Sequence, residues 1–571
     1  MSIHTSLSGD RPTGRIYGTR SPVLAQNGLI ATSQPLASAA GLQVLQEGGN
    51  AIDAAVTAAA VLAVVEPTMT GVGGDLFALV FDGRTNTLKG LNSSGRAGAG
   101  ADREALLARD TEVPAHGPCS VTVPGSVAGW SELLMSYGTI PLSRALAPAI
   151  RYARDGFAVP EIVAGQWSGV APRLAADPEA ARVLLPNGRP PQAGEIFRNP
   201  DLAITLEQVA NVGAAAVYGG AIGAAISDFM TARGGFLTTS DFAAHTSDWV
   251  EPISTTYRGY AVYEMPPNTQ GLVALEMLNI LEGYDVRRMG HNSADYLHVY
   301  TEAKRIAFAD RAAYLADSRH VPSELLATLI SKSYAADRRK QIDMQRAALA
   351  YEPAAPPGPY VGRVPRSRPG GLSGPAKAGG RVRPAGTDHR GDTVYLAAAD
   401  RFGNVVSLIN SLFDSFGSGI VVPGTGIVLH SRGSAFTLDA DHPNSLAPGK
   451  RPFHTLVPAV LMNDGRPVMA FGVMGADNQA QAHAQIVSNI VDFGMNVQEA
   501  GDVARVRHFE DGLAVESGVP EPVRATLRAR GHVIHDGRGM MGGYQAVRID
   551  PDTGVLQGGS DHRKDGMAVG W

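Results

Sequence analysis

The sequence is poor in cysteine, in aromatic residues and in excess charge of either sign. Its 571 residues include one cysteine, Cys119, which excludes an intrachain disulfide framework and a metal site built from several cysteines. Aromatic residues make up 6% of the chain, and the net charge of −5 is small for this length. We therefore predict an ordinary globular protein without a basic surface for nucleic acid.

A long hydrophobic run and a leader pattern are also missing. The most apolar stretch, residues 54–65, is shorter than the roughly 20 residues that a membrane-spanning helix needs. The N-terminus lacks the basic cluster and apolar run that mark a secretory signal. The sequence therefore predicts no membrane partner and a cytoplasmic location.

The histidines and glycines do not form a recognisable metal or phosphate motif. His430, His442 and His454 stand on separate segments without i, i+4 spacing, and no H-E-x-x-H sequence is present. The glycines at 71–74 lack the Lys-Ser/Thr ending of a phosphate loop. We therefore predict no metal and no cofactor.

Hydrophobic periodicity separates a largely helical part of the chain from a strand-rich part. Alternating residues at 76–81 and 87–91 predict an early hairpin, and helical patterns dominate from residue 127 to about 345. Beyond residue 392, alternation at 394–399, 405–410, 459–462 and 467–473 predicts two further hairpins, with helices at 480–491 and 522–530. Such separate runs indicate an α+β layered fold.

Residues 352–390 differ from the rest of the chain. They are rich in Pro, Gly and Arg and contain few large aliphatic side chains. Because such a segment buries too little apolar surface to offset its ordering entropy, we predict a mobile tether. It leads directly into Asp392-Thr393, where the strand pattern begins.

A threonine that follows a tether can act as a nucleophile if the preceding peptide bond is cut. Its hydroxyl needs a base, and its own α-amino group is one such base once it is free. The reference pKa of that amine, about 7.7–8.0, leaves a useful unprotonated fraction near neutral pH. The sequence therefore favours Thr393 as an N-terminal nucleophile released by cleavage after Asp392.

The chain resembles the gamma-glutamyltransferase family of N-terminal-nucleophile hydrolases along nearly its whole length. The motifs that carry the likeness are PLAS (35–38), GGNAIDAA (48–55), VTVPGSVAG (121–129), ARDG (153–156), GDTVYLAAADRFGN (391–404), FGSGI (416–420), GTGI (424–427), KRP (450–452), ARVR (504–507) and GSDHR (559–563). The resemblance implies a four-layer αββα sandwich, built as one domain from a large chain, 1–392, and a small chain, 393–571. It also implies a small-molecule amide substrate and leaves a homo-oligomer open.

The resemblance further implies roles for individual residues. Thr393 matches the nucleophile, and Ser411 matches a hydroxyl that supports its amine. Gly475 and Ala476 match the backbone donors that would stabilise an oxyanion. Arg96 matches the arginine that grips the substrate α-carboxylate, for which a guanidinium fork is well shaped.

The acyl pocket departs from the family pattern. Where the family binds a glutamyl α-amino group, this chain has Phe413, Arg432 and Ala435, and His454-Thr455 replaces a pair of serines. An ammonium group there would lose its acceptors and meet a like charge, which costs several kcal/mol. We therefore predict that the acylation machinery is retained and that the acyl specificity has changed.

Three functions remain open at this point. The first is a gamma-glutamyl hydrolase or transferase, as the overall resemblance and Arg96 indicate. The second is an amidohydrolase for an anionic acyl group without an α-amino group, of the oxamate or glutaryl type. The third is a non-catalytic binding relative, against which the retained Asp392-Thr393, Ser411 and Gly475 argue.

Overall fold

The computed structural model describes residues 18–353 and 392–571. Residues 354–390 of the predicted tether lie outside the described residues, so its mobility stays a prediction. The strands are β1 (Val23–Ala25), β2 (Gly28–Thr32), β3 (Asp75–Asp82), β4 (Thr87–Ser93), β5 (Phe157–Ala158), β6 (Ile196–Phe197), β7 (Asp248–Val250), β8 (Ile253–Tyr257), β9 (Tyr260–Glu264), β10 (Asp392–Asp400), β11 (Val405–Phe413), β12 (Ala459–Asn463), β13 (Arg466–Val473), β14 (Val506–Phe509), β15 (Gly512–Val515), β16 (Ile534–Asp536), β17 (Tyr544–Ile549), β18 (Leu556–Ser560) and β19 (Met567–Gly570).

Most of these strands form two seven-stranded antiparallel sheets. The first sheet has the order β19-β2-β10-β11-β3-β4-β7, and the second has the order β1-β18-β17-β13-β12-β9-β8. In the first sheet β10 lies between β2 and β11, and β11 pairs on its other side with β3. The strand that begins at Asp392 is therefore central to its sheet.

The two sheets pack face to face through a core of alternating side chains. In β10, Tyr395 and Ala397 belong to the core between the sheets, whereas Val394 and Leu396 belong to the core under the helices. Both faces of the strand are thus buried, as the period of two requires. Ile409 of β11 also faces the other sheet.

Helices cover the outer face of each sheet. The first sheet is covered by helices that include α1, α2, α4 and α5, and the second by helices that include α11, α13, α16 and α17. The helices are α1 (Pro35–Gln46), α2 (Ala51–Val65), α3 (Arg103–Leu107), α4 (Ser126–Tyr137), α5 (Leu142–Asp155), α6 (Glu161–Ala175), α7 (Pro178–Leu184), α8 (Pro200–Val212), α9 (Ala221–Ala232), α10 (Thr239–Ala243), α11 (Gly271–Leu281), α12 (Val286–Met289), α13 (Ala294–Tyr314), α14 (Ser323–Leu329), α15 (Lys332–Arg339), α16 (Asn478–Val491), α17 (Val497–Asp502) and α18 (Glu521–Ala529). The predicted αββα sandwich is confirmed.

Helix α2 shows how the sequence forms one of these layers. Asn50 and Asp53 form a capping box, in which each side chain accepts from the backbone of the other. The helix is apolar on every side and wholly buried, as expected for a helix enclosed by other elements. None of the helices in the two described ranges is both long and apolar enough to cross a bilayer.

One region differs from the sequence prediction. The helical patterns expected from residue 127 to about 345 are interrupted by β7, β8 and β9. Strands β8 and β9 turn at Arg258 and Gly259, with φ of 48° and 90°. The alternating β-branched and aromatic residues on either side of this turn favour a hairpin, which adds the edge of the second sheet.

Candidate active site

Thr393 lies near the start of β10, beside Ser411 of β11. A bulge interrupts the pairing of the two strands between Asp392 and Val394. Thr393 Oγ1 is 3.1 Å from Ser411 Oγ, and Ser411 Oγ accepts a hydrogen bond of 2.8 Å from the N–H of Phe413. Both hydroxyl side chains are buried. The structure therefore brings together the predicted nucleophile and the hydroxyl predicted to support it.

Residues 474–477 connect β13 to α16, and we call them the oxyanion loop after the role predicted for Gly475 and Ala476. Gly475 has φ of 123° and Ala476 has φ of 50°, so both lie at positive φ, where glycine is favoured over alanine. Neither N–H donates a backbone hydrogen bond to another residue of the described ranges. Because α16 starts directly after the loop, these N–H groups lie at the positive end of its dipole.

A close contact between the sheets places this loop near the start of β10. Gly472 of β13 lies against the ring of Tyr395, and a Cβ on Gly472 would come within 2.4 Å of a ring carbon. Only glycine permits that approach. The end of β13, and with it the oxyanion loop, is therefore held close to the strand that carries Thr393.

Arg432 is a fully buried guanidinium in the predicted acyl pocket. We call this part of the site the acyl side, and its residues are Asp75, Phe413, His430, Arg432, His454 and Thr455. The Cζ of Arg432 lies 4.0 Å from the centroid of the Phe413 ring, and its Nη1 donates to Thr455 Oγ1 at 3.1 Å. Its Nε is 3.6 Å from Asp75 Oδ2, an ion pair that is too long for a hydrogen bond. Nε and Nη2 have no hydrogen-bond partner among the described residues. Burial lowers the pKa of Arg432 to about 9, although Asp75 opposes the shift.

Asp75, at the start of β3, is the carboxylate around which this side is organised. His430 Nδ1 and His454 Nε2 each lie 3.0 Å from its Oδ2, and the N–H of Gly95 donates to its Oδ1 at 3.1 Å. Burial alone would raise the pKa of Asp75, but the charge and hydrogen bond of His430 and the hydrogen bond of His454 hold it well below its ordinary value. A buried carboxylate thus stands between two histidines and Arg432.

The two histidines have different surroundings. Burial and the charge of Arg432 lower the pKa of His454 to about 3, so its ring is neutral. His454 Nδ1 accepts from the N–H of Leu456 at 3.3 Å, which leaves the hydrogen on Nε2, facing Asp75. His430 faces Asp75 with one nitrogen and the carbonyl oxygen of Thr122, at 2.8 Å, with the other.

The acyl side is joined to the oxyanion loop by one buried amide. Gln270 Nε2 donates to the carbonyl oxygens of Thr455 and Ala476, at 2.8 and 3.0 Å. A continuous series of contacts therefore leads from the predicted nucleophile to this loop, and its members are Thr393, Ser411, Phe413, Arg432, Thr455, Gln270 and Ala476.

Arg96 is partly exposed and lies between two acidic side chains. Its side chain is 28% exposed, and its guanidinium lies 3.4 Å from Asp248 and 3.5 Å from Asp317. Its backbone neighbour Gly95 reaches Asp75, so the chain at this point adjoins the acyl side. The role of Arg96 toward a substrate carboxylate stays a prediction.

Sequence reasoning missed Asp75 and Gln270 and considered His430 only as a metal ligand. A signal for Asp75 was present, because it is an acid at the start of a fully buried apolar strand, and a buried acid requires partners. Gln270 offered no comparable signal, since its partners are two backbone carbonyls distant in sequence. The described residues contain no group of three or more His, Cys, Asp or Glu side chains that could hold a metal ion.

Known proteins resemble this chain over nearly its whole length. The family model described as gamma-glutamyltranspeptidase matches residues 37–571. The chain is 37% identical to the glutathione hydrolase-like YwrD proenzyme of Bacillus subtilis (strain 168), covering 96% of this chain and 99% of that protein. It is 36% identical to the acylase ACY 1 proenzyme of Pseudomonas sp. (strain SE83), covering 96% and 94%. It is 34% identical to the oxamate amidohydrolase proenzyme of Klebsiella pneumoniae, covering 96% and 99%.

A solved structure also matches the fold. The cephalosporin acylase from Bacillus halodurans superposes with a TM-score of 0.87 at 39% sequence identity. The match covers 99% of this chain and 98% of the acylase. Both the helical layers and the two central sheets are therefore shared with that protein.

Proposed function

The chain belongs to the gamma-glutamyltranspeptidase family, and we propose that it is a self-processing amidohydrolase for an acyl group that carries a carboxylate and lacks an α-amino group. In this proposal Thr393 is the nucleophile of both reactions. The large chain ends at Asp392, and the small chain begins at Thr393.

Self-processing begins with the hydroxyl of Thr393 in the uncut chain. Its Oγ1 attacks the carbonyl carbon of Asp392, the bond from that carbon to the Thr393 nitrogen breaks, and the hydroxyl proton passes to the nitrogen. This acyl shift frees the α-amino group of Thr393, and water then hydrolyses the resulting ester to release the Thr393 hydroxyl and the C-terminal carboxylate of Asp392. The hydroxyl of Ser411, 3.1 Å from Oγ1, is placed to accept or donate a proton during these steps.

Turnover uses the same atoms on an external amide. Thr393 Oγ1 attacks the substrate carbonyl while its α-amino group takes the hydroxyl proton and later gives it to the leaving amine. The N–H groups of Gly475 and Ala476 stabilise the oxyanion, a contribution of about 3–4 kcal/mol per donor in other acyl-transfer enzymes. Water, activated by the same amine, then hydrolyses the acyl-enzyme ester.

The acyl specificity rests on one observation, the unused donors of the buried Arg432. A substrate carboxylate would accept from Nη2 and complete the pairing of a guanidinium that Asp75 only partly neutralises. An ammonium group would instead meet that cation and the face of Phe413. The difference in binding energy between a carboxylate and an ammonium group is larger here than in water, because Arg432 is fully buried and charges interact more strongly in a buried site.

A second candidate, a gamma-glutamyl hydrolase, is supported by Arg96 and by relatives named glutathione hydrolases. Relatives named acylase ACY 1 and oxamate amidohydrolase support the first candidate to a similar degree of identity. The pocket side chains support the first candidate, because the carboxylate near Arg432, Asp75, already binds His430, His454 and the N–H of Gly95.

The test compares three anilides that differ only in the acyl group: glutaryl, γ-glutamyl and butyryl p-nitroanilide. We expect the processed wild type to prefer the glutaryl compound in kcat/KM. Arg432→Met should lower kcat/KM for the glutaryl compound roughly 10- to 100-fold, as the loss of a charged hydrogen bond of about 1.5–3 kcal/mol implies. The butyryl compound, which has no carboxylate, should change little.

Two controls keep the outcome clear. Active sites are counted by the amount of processed small chain, so that a variant that folds or cleaves poorly is not mistaken for a weak binder. Arg96→Met is the control variant, because it removes a second arginine from the same region and leaves Arg432 in place. The proposal is wrong if the wild type prefers the γ-glutamyl compound, or if Arg432→Met lowers activity on all three anilides equally.

A further inference from the structure

Gln270 is a fully buried side chain directly before α11, and every polar atom of its amide is used. Its Nε2 donates to Thr455 O and Ala476 O, and its Oε1 accepts from Arg311 Nη1 at 2.7 Å. Because a guanidinium only donates, Oε1 must face Arg311. The orientation of the amide is therefore fixed, and both Nε2 hydrogens point to carbonyl oxygens.

Arg311 extends the same contact to the next residue of the oxyanion loop. Its Nη1 also donates to Asp477 Oδ1 at 2.7 Å, and Asp477 directly follows Ala476. The side chain of Arg311 is 7% exposed and stacks on Phe308, with Cζ 3.9 Å from the ring centroid. Gln270 thus binds the carbonyl oxygen of Ala476, and Arg311 binds the side chain of the next residue, Asp477. We call the side chains of Gln270 and Arg311 the loop clamp.

The oxyanion loop needs such a restraint because its backbone is strained. Ala476 has φ of 50°, a left-handed conformation that costs a non-glycine residue about 1–2 kcal/mol. A rotation of the adjacent peptide groups would relieve the strain. It would also turn the N–H groups of Gly475 and Ala476 away from the predicted oxyanion position. The first turn of α16 contributes one further bond to Ala476 O, from the N–H of Gln479 at 3.1 Å. The clamp adds bonds to Ala476 and Asp477 from residues distant in the chain.

We propose that Gln270 is a positioning residue that aims the N–H groups of Gly475 and Ala476 at the oxyanion, with Arg311 fixing its orientation. The same amide donates to the carbonyl oxygen of Thr455, so it also joins the oxyanion loop to the segment that carries Thr455. The proposal rests on the amide-cleaving function above but not on the identity of the acyl group.

The test replaces Gln270 by Met, which keeps the length of the side chain and removes all of its hydrogen bonds. We expect kcat per processed site to fall roughly 10- to 100-fold, below the 10²- to 10³-fold cost of removing an oxyanion donor outright. KM should change less than about twofold, because the clamp acts on the transition state. The substrate is whichever of the three anilides the wild type cleaves fastest, so an error in the acyl assignment leaves this test unaffected.

Gln498→Met is the matched control. Gln498 is equally a buried glutamine, and its amide bonds Ser560 O, Asp502 Oδ1 and the N–H of Ser560. It should lower the melting temperature as Gln270→Met does and leave kcat unchanged. Arg311→Lys, which keeps a charged donor, should retain more kcat than Arg311→Met. Equal kcat in Gln270→Met and wild type, or an equal loss of kcat in Gln498→Met, would overturn the proposal.

Discussion

The nucleophile side of the site consists of neutral hydroxyls, whereas the acyl side is built around a buried ion pair, Arg432 and Asp75. Thr393 and Ser411 are small hydroxyls on paired strands, and their positions follow from sheet register. Arg432, Asp75 and His430 lie on loops and a strand end, and none of them is exposed. Neutral groups need only hydrogen bonds, but buried charges need one another. Residues on the acyl side are therefore constrained as a set.

Phe413 contacts both sides of the site, one through its backbone and the other through its ring. Its backbone N–H donates to Ser411 Oγ, and its ring lies under Arg432. The first contact depends only on the backbone, so the side chain at this position can change while the support of the nucleophile stays. This separation shows how one fold can keep its chemistry and change its acyl group.

The largest expected effect comes from the nucleophile itself. Thr393→Ala should abolish both self-cleavage and turnover, because it removes the hydroxyl that attacks in both reactions. Thr393→Ser keeps a hydroxyl and should still cleave, although more slowly. Intact-mass spectra of the three proteins give the measurement. A Thr393→Ala protein that still splits at this bond would show that the nucleophile lies elsewhere.

On the acyl side, the largest expected effect is on stability. Asp75→Asn keeps the shape of the side chain but removes the charge that compensates Arg432. Breaking such a buried pair costs about 3–5 kcal/mol, which chemical denaturation of the processed protein would measure. Glu251→Gln, which removes the carboxylate of a surface pair with Lys89, should cost at most about 1 kcal/mol. A loss in Asp75→Asn no larger than this control would contradict a mutually dependent cluster.

The layered fold was predictable from the sequence because its signals are local. The capping box before α2 and the alternation in β10 depend on residues next to one another in the chain. The hairpin of β8 and β9 was missed inside a region of strong helical patterns. The alternation on either side of Arg258-Gly259 is short. In a long stretch of sequence with mostly helical periodicity, such a short strand pattern is easily overlooked.

The candidate site was predictable only in part. The residues on the nucleophile side were predicted, whereas the contacts among the residues of the acyl side were not. Thr393 lies within a recognisable motif, and Ser411 and Gly475 were predicted from their matched positions in the family. Gln270 acts through contacts with residues more than 180 positions away, and no local pattern encodes such contacts. The pairing of Arg432 with Asp75 likewise appears only when the sheets and loops are assembled.

The smallest of the expected effects sharpens the comparison most, because it asks whether the two sides are separable. Ser411→Ala removes the hydroxyl beside Thr393 and leaves the N–H of Phe413 without this acceptor, a loss of about 1–3 kcal/mol. Self-cleavage and kcat should therefore fall roughly 10- to 100-fold, as mass spectra over time and anilide hydrolysis would measure. The ratio of kcat/KM between the glutaryl and γ-glutamyl anilides should stay within about threefold of the wild-type ratio, because Arg432 and its partners are untouched. A larger shift in that ratio would mean that Ser411 positions Phe413, and through it Arg432, so that chemistry and recognition are not independent.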